Sequence, residues 1–158
     1  MNAELRFEHA RFDQELGRTV PVSLLVHRTR KLAVVANSFI AYRTGFSFIL
    51  YTVQRNAPKY VPGLSPSPNL SVDHETLNVV DAGGRKLSTE PDFAGHGGPG
   101  WMAYRYFVLE LPALGPMIVS LDWPGRRSLR VSAPLESQPI LEAAGKAEPL
   151  WRLGPAQE

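Results

Sequence analysis

The residues best able to do chemistry gather around Gly95-His96-Gly97-Gly98-Pro99-Gly100, which satisfies the pattern Gly-x-Gly-x-x-Gly. In a dinucleotide-binding fold that pattern follows a strand and opens a helix, whose first amides hold the pyrophosphate. Here Pro91-Asp92-Phe93-Ala94 precedes it, and Trp101-Met102-Ala103-Tyr104, a strand-forming run, follows. A glycine loop between two strands covers nucleotide phosphates in protein kinases, but the lysine, catalytic-loop and metal-binding signatures of that family are missing. The segment is expected to be a flexible surface loop. Gly83-Gly84-Arg85-Lys86 likewise falls short of phosphate-loop spacing.

His9, His27, His74 and His96 are far apart, and no two sit at a spacing that one helix or strand would bring to a single metal. Asp73-His74-Glu75 would place its neighbours on opposite faces of a strand, whereas Asp92 and His96 flank the glycine loop and could meet there. No Gly-x-Ser-x-Gly elbow is present, and Ser65, Ser67 and Ser71 lie in a proline-rich stretch where serine is ordinary turn chemistry. The absence of cysteine excludes disulfides, thiolate metal sites and a cysteine nucleophile. No catalytic residue, metal site or cofactor is assigned.

The elements that would carry any site are strands. In Gly45–Gln54, Phe46, Phe48, Leu50 and Thr52 alternate with Ser47, Ile49, Tyr51 and Val53, the period of a strand buried on one face and partly covered on the other. Further strands are expected near Val20–His27, Leu32–Tyr42, Leu77–Asp81, Arg85–Ser88, Tyr104–Leu111, Met117–Asp122 and Ser128–Ser132. Asp81-Ala82-Gly83-Gly84 reads as a hairpin turn. Pro112, Pro116, Pro124 and Pro134 should bracket short late strands. Residues 57–69, with Pro58, Pro62, Pro66 and Pro68, read as a long loop. Ser137 with Pro139 marks a helix start, before the run Ile140–Ala147. The fold expected is all-β: an antiparallel immunoglobulin-like β-sandwich with a short C-terminal helix. Residues 1–19 are expected as an N-terminal arm or short helix, 20–152 as one sandwich domain and 153–158 as a flexible tail.

The chain has 158 residues and a net charge of +2, too little to demand a polyanion. The charge is nevertheless segregated: Arg28, Arg30, Lys31, Arg43, Arg55 and Lys59 lie between Thr19 and Val72 with no acid among them. The first five form a candidate basic patch. The N-terminus lacks the apolar core of a secretory signal, and no run approaches a membrane span, so a cytoplasmic location without membrane contact is expected.

Aromatic residues favour the second half of the chain. On the strand after the glycine loop, Tyr104, Tyr106 and Val108 share one face, and Arg105, Phe107 and Leu109 share the other. With Phe107, Leu109 and Leu111 turned to the core, Tyr104 and Tyr106 would stand outside, as tyrosines do at protein interfaces. The expected core includes Phe46, Phe48, Leu50, Phe107, Leu109 and Trp123.

Several segments taken together resemble a family of small uncharacterised actinobacterial proteins. They are Leu32-Ala33-Val34-Val35, Ala41-Tyr42-Arg43-Thr44-Gly45-Phe46-Ser47-Phe48, the glycine-rich loop ending at Trp101, Leu111-Pro112 with Gly115-Pro116, Leu121-Asp122-Trp123-Pro124, and Pro139-Ile140-Leu141-Glu142-Ala143-Ala144 with Leu150-Trp151. The likeness spans roughly Val20 to Trp151 and carries over no activity and no catalytic residue. The basic Arg126-Arg127-Ser128 and residues 1–19 depart from the family pattern.

The function expected is therefore a non-enzymatic protein-interaction module that binds another protein or itself, with Gly95, His96, Gly97, Trp101, Tyr104 and Tyr106 at the partner site. Two alternatives stand beside it: a small-ligand binder or enzyme using the 92–101 loop, and a weak nucleic-acid binder using the basic 28–55 segment.

Overall fold

Period-two patterning produces strands along nearly the whole chain in the computed structural model, which describes residues 8–55, 77–92, 96–98, 100–123 and 129–151. A 3₁₀ helix, Glu8–Gln14, leads into β1 (Glu15–Leu16) and β2 (Arg18–Val20). Then β3 (Leu24–Arg28), β4 (Leu32–Ala41) and β5 (Phe46–Gln54) run as a meander. They are followed by β6 (Leu77–Val80), β7 (Thr89–Pro91), β8 (His96–Gly98) and β9 (Trp101–Val108). The chain continues through β10 (Pro116–Trp123), β11 (Leu129–Glu136), the helix α1 (Gln138–Ala144) and β12 (Glu148–Pro149). The described chain is mostly β, its named strands pair antiparallel, and α1 is its short α-helix.

A seven-stranded sheet has the order β2-β4-β5-β9-β7, with β3 also on β4 and β8 also on β9; a three-stranded sheet has the order β11-β10-β6. Both feed one hydrophobic cluster. Phe46, Phe48 and Leu50 of β5 meet Tyr106 and Val108 of β9 in it, along with Val79 of β6, Met117, Val119 and Leu121 of β10, and Ile140 of α1. The alternation read for β5 holds from Phe48 onward: Phe46, Phe48, Leu50 and Thr52 are buried, Ile49 and Tyr51 half-buried and Val53 exposed, while Ser47, on the outward face, is buried as well.

The register of β4 against β5 slips between Asn37 and Ile40, where Ser38 takes φ 55°. A Cβ in this left-handed region costs roughly 1–2 kcal/mol, and glycine escapes most of it. Ser38→Gly is expected to stabilise the protein by up to about 1 kcal/mol after the entropy lost to a freer unfolded chain. Urea midpoints of the two proteins check this.

The Asp81 hairpin forms as expected: Gly84 takes φ 79°, and its amide donates to the Asp81 carbonyl at 2.9 Å. Asp81 itself is a buried hub. Its Oδ1 accepts from the amides of Gly83 and Arg85, and its Oδ2 from Ala113 N and Arg85 Nε. Burial pushes the carboxyl upward, but the amides of Ala113, Arg85 and Gly83, joined by the Arg85 guanidinium, outweigh it and hold it below its ordinary value of 3.8. A depressed folded pKa supplies stability that is present above the unfolded value and lost as pH falls through the folded one. The urea midpoint should therefore fall as pH drops below 3.8, and Asp81→Asn should flatten that limb.

Several expectations are corrected. Of residues 1–19, expected as an arm or short helix, Glu8–Gln14 is a short 3₁₀ helix, but 15–19 contribute to β1 and β2, because Arg18–Val20 finds a partner in Phe39–Ala41. Arg85–Ser88 makes only the isolated bridge Val80↔Lys86, and the strand lies at Thr89–Pro91. Pro134 sits within β11 instead of ending it, which an edge strand tolerates. Ser137 does not cap α1 with its side chain; its hydroxyl donates to Ala113 O and accepts from Gly115 N, and the helix stops at Ala144. Leu109 is half-buried, not core. The side chain of Trp123 and the tail 153–158 lie outside the described residues, as does the loop 57–69.

Candidate functional site: the uncovered half of the large sheet

One face of the seven-stranded sheet meets the core, and its other face is divided. At one end the 3₁₀ helix lays Phe12 against Tyr42 and Phe107, with ring centroids 4.6 and 6.0 Å apart. At the other end the registers stack three rows of outward residues. Arg28, Ala33, Val53 and Trp101 form one row, and Leu25, Val35, Tyr51 and Ala103 the next, meeting His96 on β8. Asn37, Ile49 and Arg105 form the third, closed by Asp92, whose amide donates to Arg105 O at 2.9 Å. Residues directly opposite across a ladder share a face, so these rows are one surface. Leu25, Val53 and Trp101 are 46%, 44% and 38% exposed, large values for apolar side chains side by side on a sheet.

The second and third rows, with Trp101 of the first, line a shallow groove of about 340 Å³: Ile49, Tyr51, Asp92, His96, Trp101, Ala103 and Arg105. Asp92 and His96, which flank the glycine segment in sequence, thus line one groove. The lining offers an imidazole, a carboxylate, a guanidinium and two aromatic rings.

The glycine segment is not simply a loop. His96–Gly98 pairs with Trp101–Ala103 as a hairpin, and Gly100 takes φ 77° where the chain turns. Gly98 is needed for contact: a Cβ there would stand 2.6 Å from Trp101 Nε1. The indole therefore folds back across the backbone of its own hairpin, and Gly98→Ala would push it out of the groove.

The partner residues expected from sequence divide accordingly. His96 and Gly97 are exposed on β8, Trp101 is exposed at the groove, and Gly95 lies outside the described residues. Tyr106 is a correction: it is 1% exposed and faces the core, opposite Phe48, with ring centroids 5.9 Å apart. Tyr104 shares that face, half-buried against the core. Phe107 is buried on the opposite face, beneath Phe12, so the faces of β9 are the reverse of those expected. Leu25, Ile49, Tyr51, Val53 and Arg105 also belong to the surface; the apolar outward face of Gly45–Gln54 signals Ile49, Tyr51 and Val53, whereas Leu25 and Arg105 join it only through the strand registers.

The basic residues also divide. Arg28, Arg30 and Lys31 surround the β3–β4 turn, and the amide of Arg55 donates to Lys31 O at 2.8 Å, which brings these four to one end of the sheet. Arg43 is at the opposite end, between β4 and β5, where its Nε lies 2.6 Å from Glu15 Oε1. It does not belong to the patch.

No family model, curated protein or solved structure matches this chain. Among the described residues, no group of three or more His, Asp or Glu could hold a metal ion, and no helix is long and apolar enough to cross a membrane.

Proposed function

We propose that this chain is a non-enzymatic protein-interaction module whose partner docks on the uncovered half of the large sheet. The observation that carries the reading is the row Val53–Trp101 beside Leu25 and the half-buried Tyr51: aliphatic and aromatic side chains stand at the surface of paired strands, while the same face three rows away lies beneath Phe12. Aromatic side chains on a firm scaffold supply contact area at low entropic cost, the property of interface hot spots. We also read the two sheets as an immunoglobulin-like sandwich, supported by their shared core and by the meander β3-β4-β5.

The groove's Asp92, His96 and Arg105 favour a second reading, a small polar ligand held at its floor.

Affinity capture from native cells with the parent and Trp101→Ala tests the first reading. Trp101→Ala is expected to fold normally, because the indole is largely solvated, and to lose the captured protein. Equal recovery with both would remove Trp101 from the interface.

A further inference from the structure

Resting on that docking reading, we infer that the half-face recognises an extended protein segment that is acidic at one end and apolar or aromatic in its middle. The charges carry this step. Arg28, Arg30, Lys31 and Arg55 are all exposed at one end of the sheet, and none of them pairs with a described acid. Arg28 and Trp101 occupy the same row through Ala33 and Val53, and Arg55, the residue that follows β5, lies two positions beyond Val53. The cations therefore border the apolar rows directly.

At the far end Arg105 and Asp92 stand opposite each other across paired strands, a mixed-charge boundary that favours neither sign. From Ile49 to Gln54, where β5 ends beside Arg55, is five residue steps, or roughly 17 Å at strand rise, which about six extended residues span. An occupant in that conformation would set carboxylates against the four cations and alternate side chains against Val53, Trp101 and Tyr51. Nucleic acid fits less well: Trp101 and Tyr51 offer rings on which a base can stack, but Asp92 sets a carboxylate in the groove beside them and the aliphatic Leu25, Ile49 and Val53 make up the rest of the surface.

The test is fluorescence anisotropy on the full chain with a labelled peptide of four glutamates followed by alternating leucine–serine and phenylalanine–serine pairs. Two controls carry lysine for glutamate, or serine for every leucine and phenylalanine. The expected result is that the glutamate peptide binds about tenfold or more tightly than either control, and that raising salt to about 0.3 M weakens it. The triple reversal Arg28→Glu, Arg30→Glu, Lys31→Glu should abolish the preference for glutamate; Lys31→Glu alone should reduce it should the triple variant prove unfolded. Trp101→Ala should weaken the glutamate peptide without changing which charge is preferred. Equal binding of the glutamate and lysine peptides, failure of the glutamate peptide to bind, parent-like affinity in a folded charge-reversed variant, or tighter binding of an oligouridine would each overturn the inference. If charge reversal leaves capture of the native partner unchanged while Trp101→Ala abolishes it, the docking reading stands and the acidic specificity fails.

Discussion

Phe48→Ala is expected to destabilise the protein by about 3–5 kcal/mol, a large part of the roughly 5–15 kcal/mol a domain of this kind possesses. Phe48 is 1% exposed, and its ring lies 5.2 Å from Phe39, 6.4 Å from Phe46 and 5.9 Å from Tyr106 by centroid. Those neighbours sit on three paired strands whose backbones cannot close over the space left behind, so the cavity term is felt in full. Guanidinium unfolding monitored by circular dichroism would measure it. A variant with the parent's midpoint would mean that β5 turns its other face to the core.

Phe12→Ala is the second large effect, about 3 kcal/mol, toward the lower end of the range for phenylalanine because the site lies at an outer face that can partly collapse. Phe12 is 2% exposed, stacked on Tyr42 and Phe107. The Arg11 guanidinium donates to the Leu109 carbonyl beside it and lies 4.9 Å from the Phe12 ring centroid. Losing the ring should loosen the whole 3₁₀ helix and bare Phe107, so bis-ANS fluorescence should rise together with the fall in midpoint. Unchanged stability and unchanged dye binding would show that the helix does not cover that end of the sheet.

That helix also explains where sequence reasoning reached and where it stopped. The strands β4 and β5 are long, and their alternation is strong enough to name their buried face without any partner. On β9 both faces carry aromatics, so hydrophobicity alone ranked Phe107 above Tyr106. What reverses the ranking is Phe12, 95 positions earlier in the chain, which buries Phe107 from outside while the β5 register draws Tyr106 under Phe48. A one-residue difference in facing inverts every side chain on a strand. The strands β1, β7, β8 and β12 are two or three residues each, too short to show a period.

The candidate site was legible in part for the same reasons. His96 and Trp101 stood out because the glycine motif drew notice to their segment, although its role is a hairpin that lays an indole against Gly98 and not a phosphate cradle. Arg28, Arg30, Lys31 and Arg55 were visible as charge without acid; that they converge, and that Arg43 leaves them for Glu15, depends on the antiparallel registers. Leu25, Tyr51, Val53 and Arg105 become one surface only once four strands are placed side by side.

The most direct test of the docking surface is carbene footprinting of the full chain, alone and bound to its captured partner, read residue by residue by mass spectrometry. Bound protein should lose labelling at Leu25, Val53 and Trp101, while Ile118 and Leu114, which are 40% and 71% exposed away from that face, stay labelled in both states. Protection at Ile118 and Leu114 with undiminished labelling at Trp101 and Val53 would contradict the account.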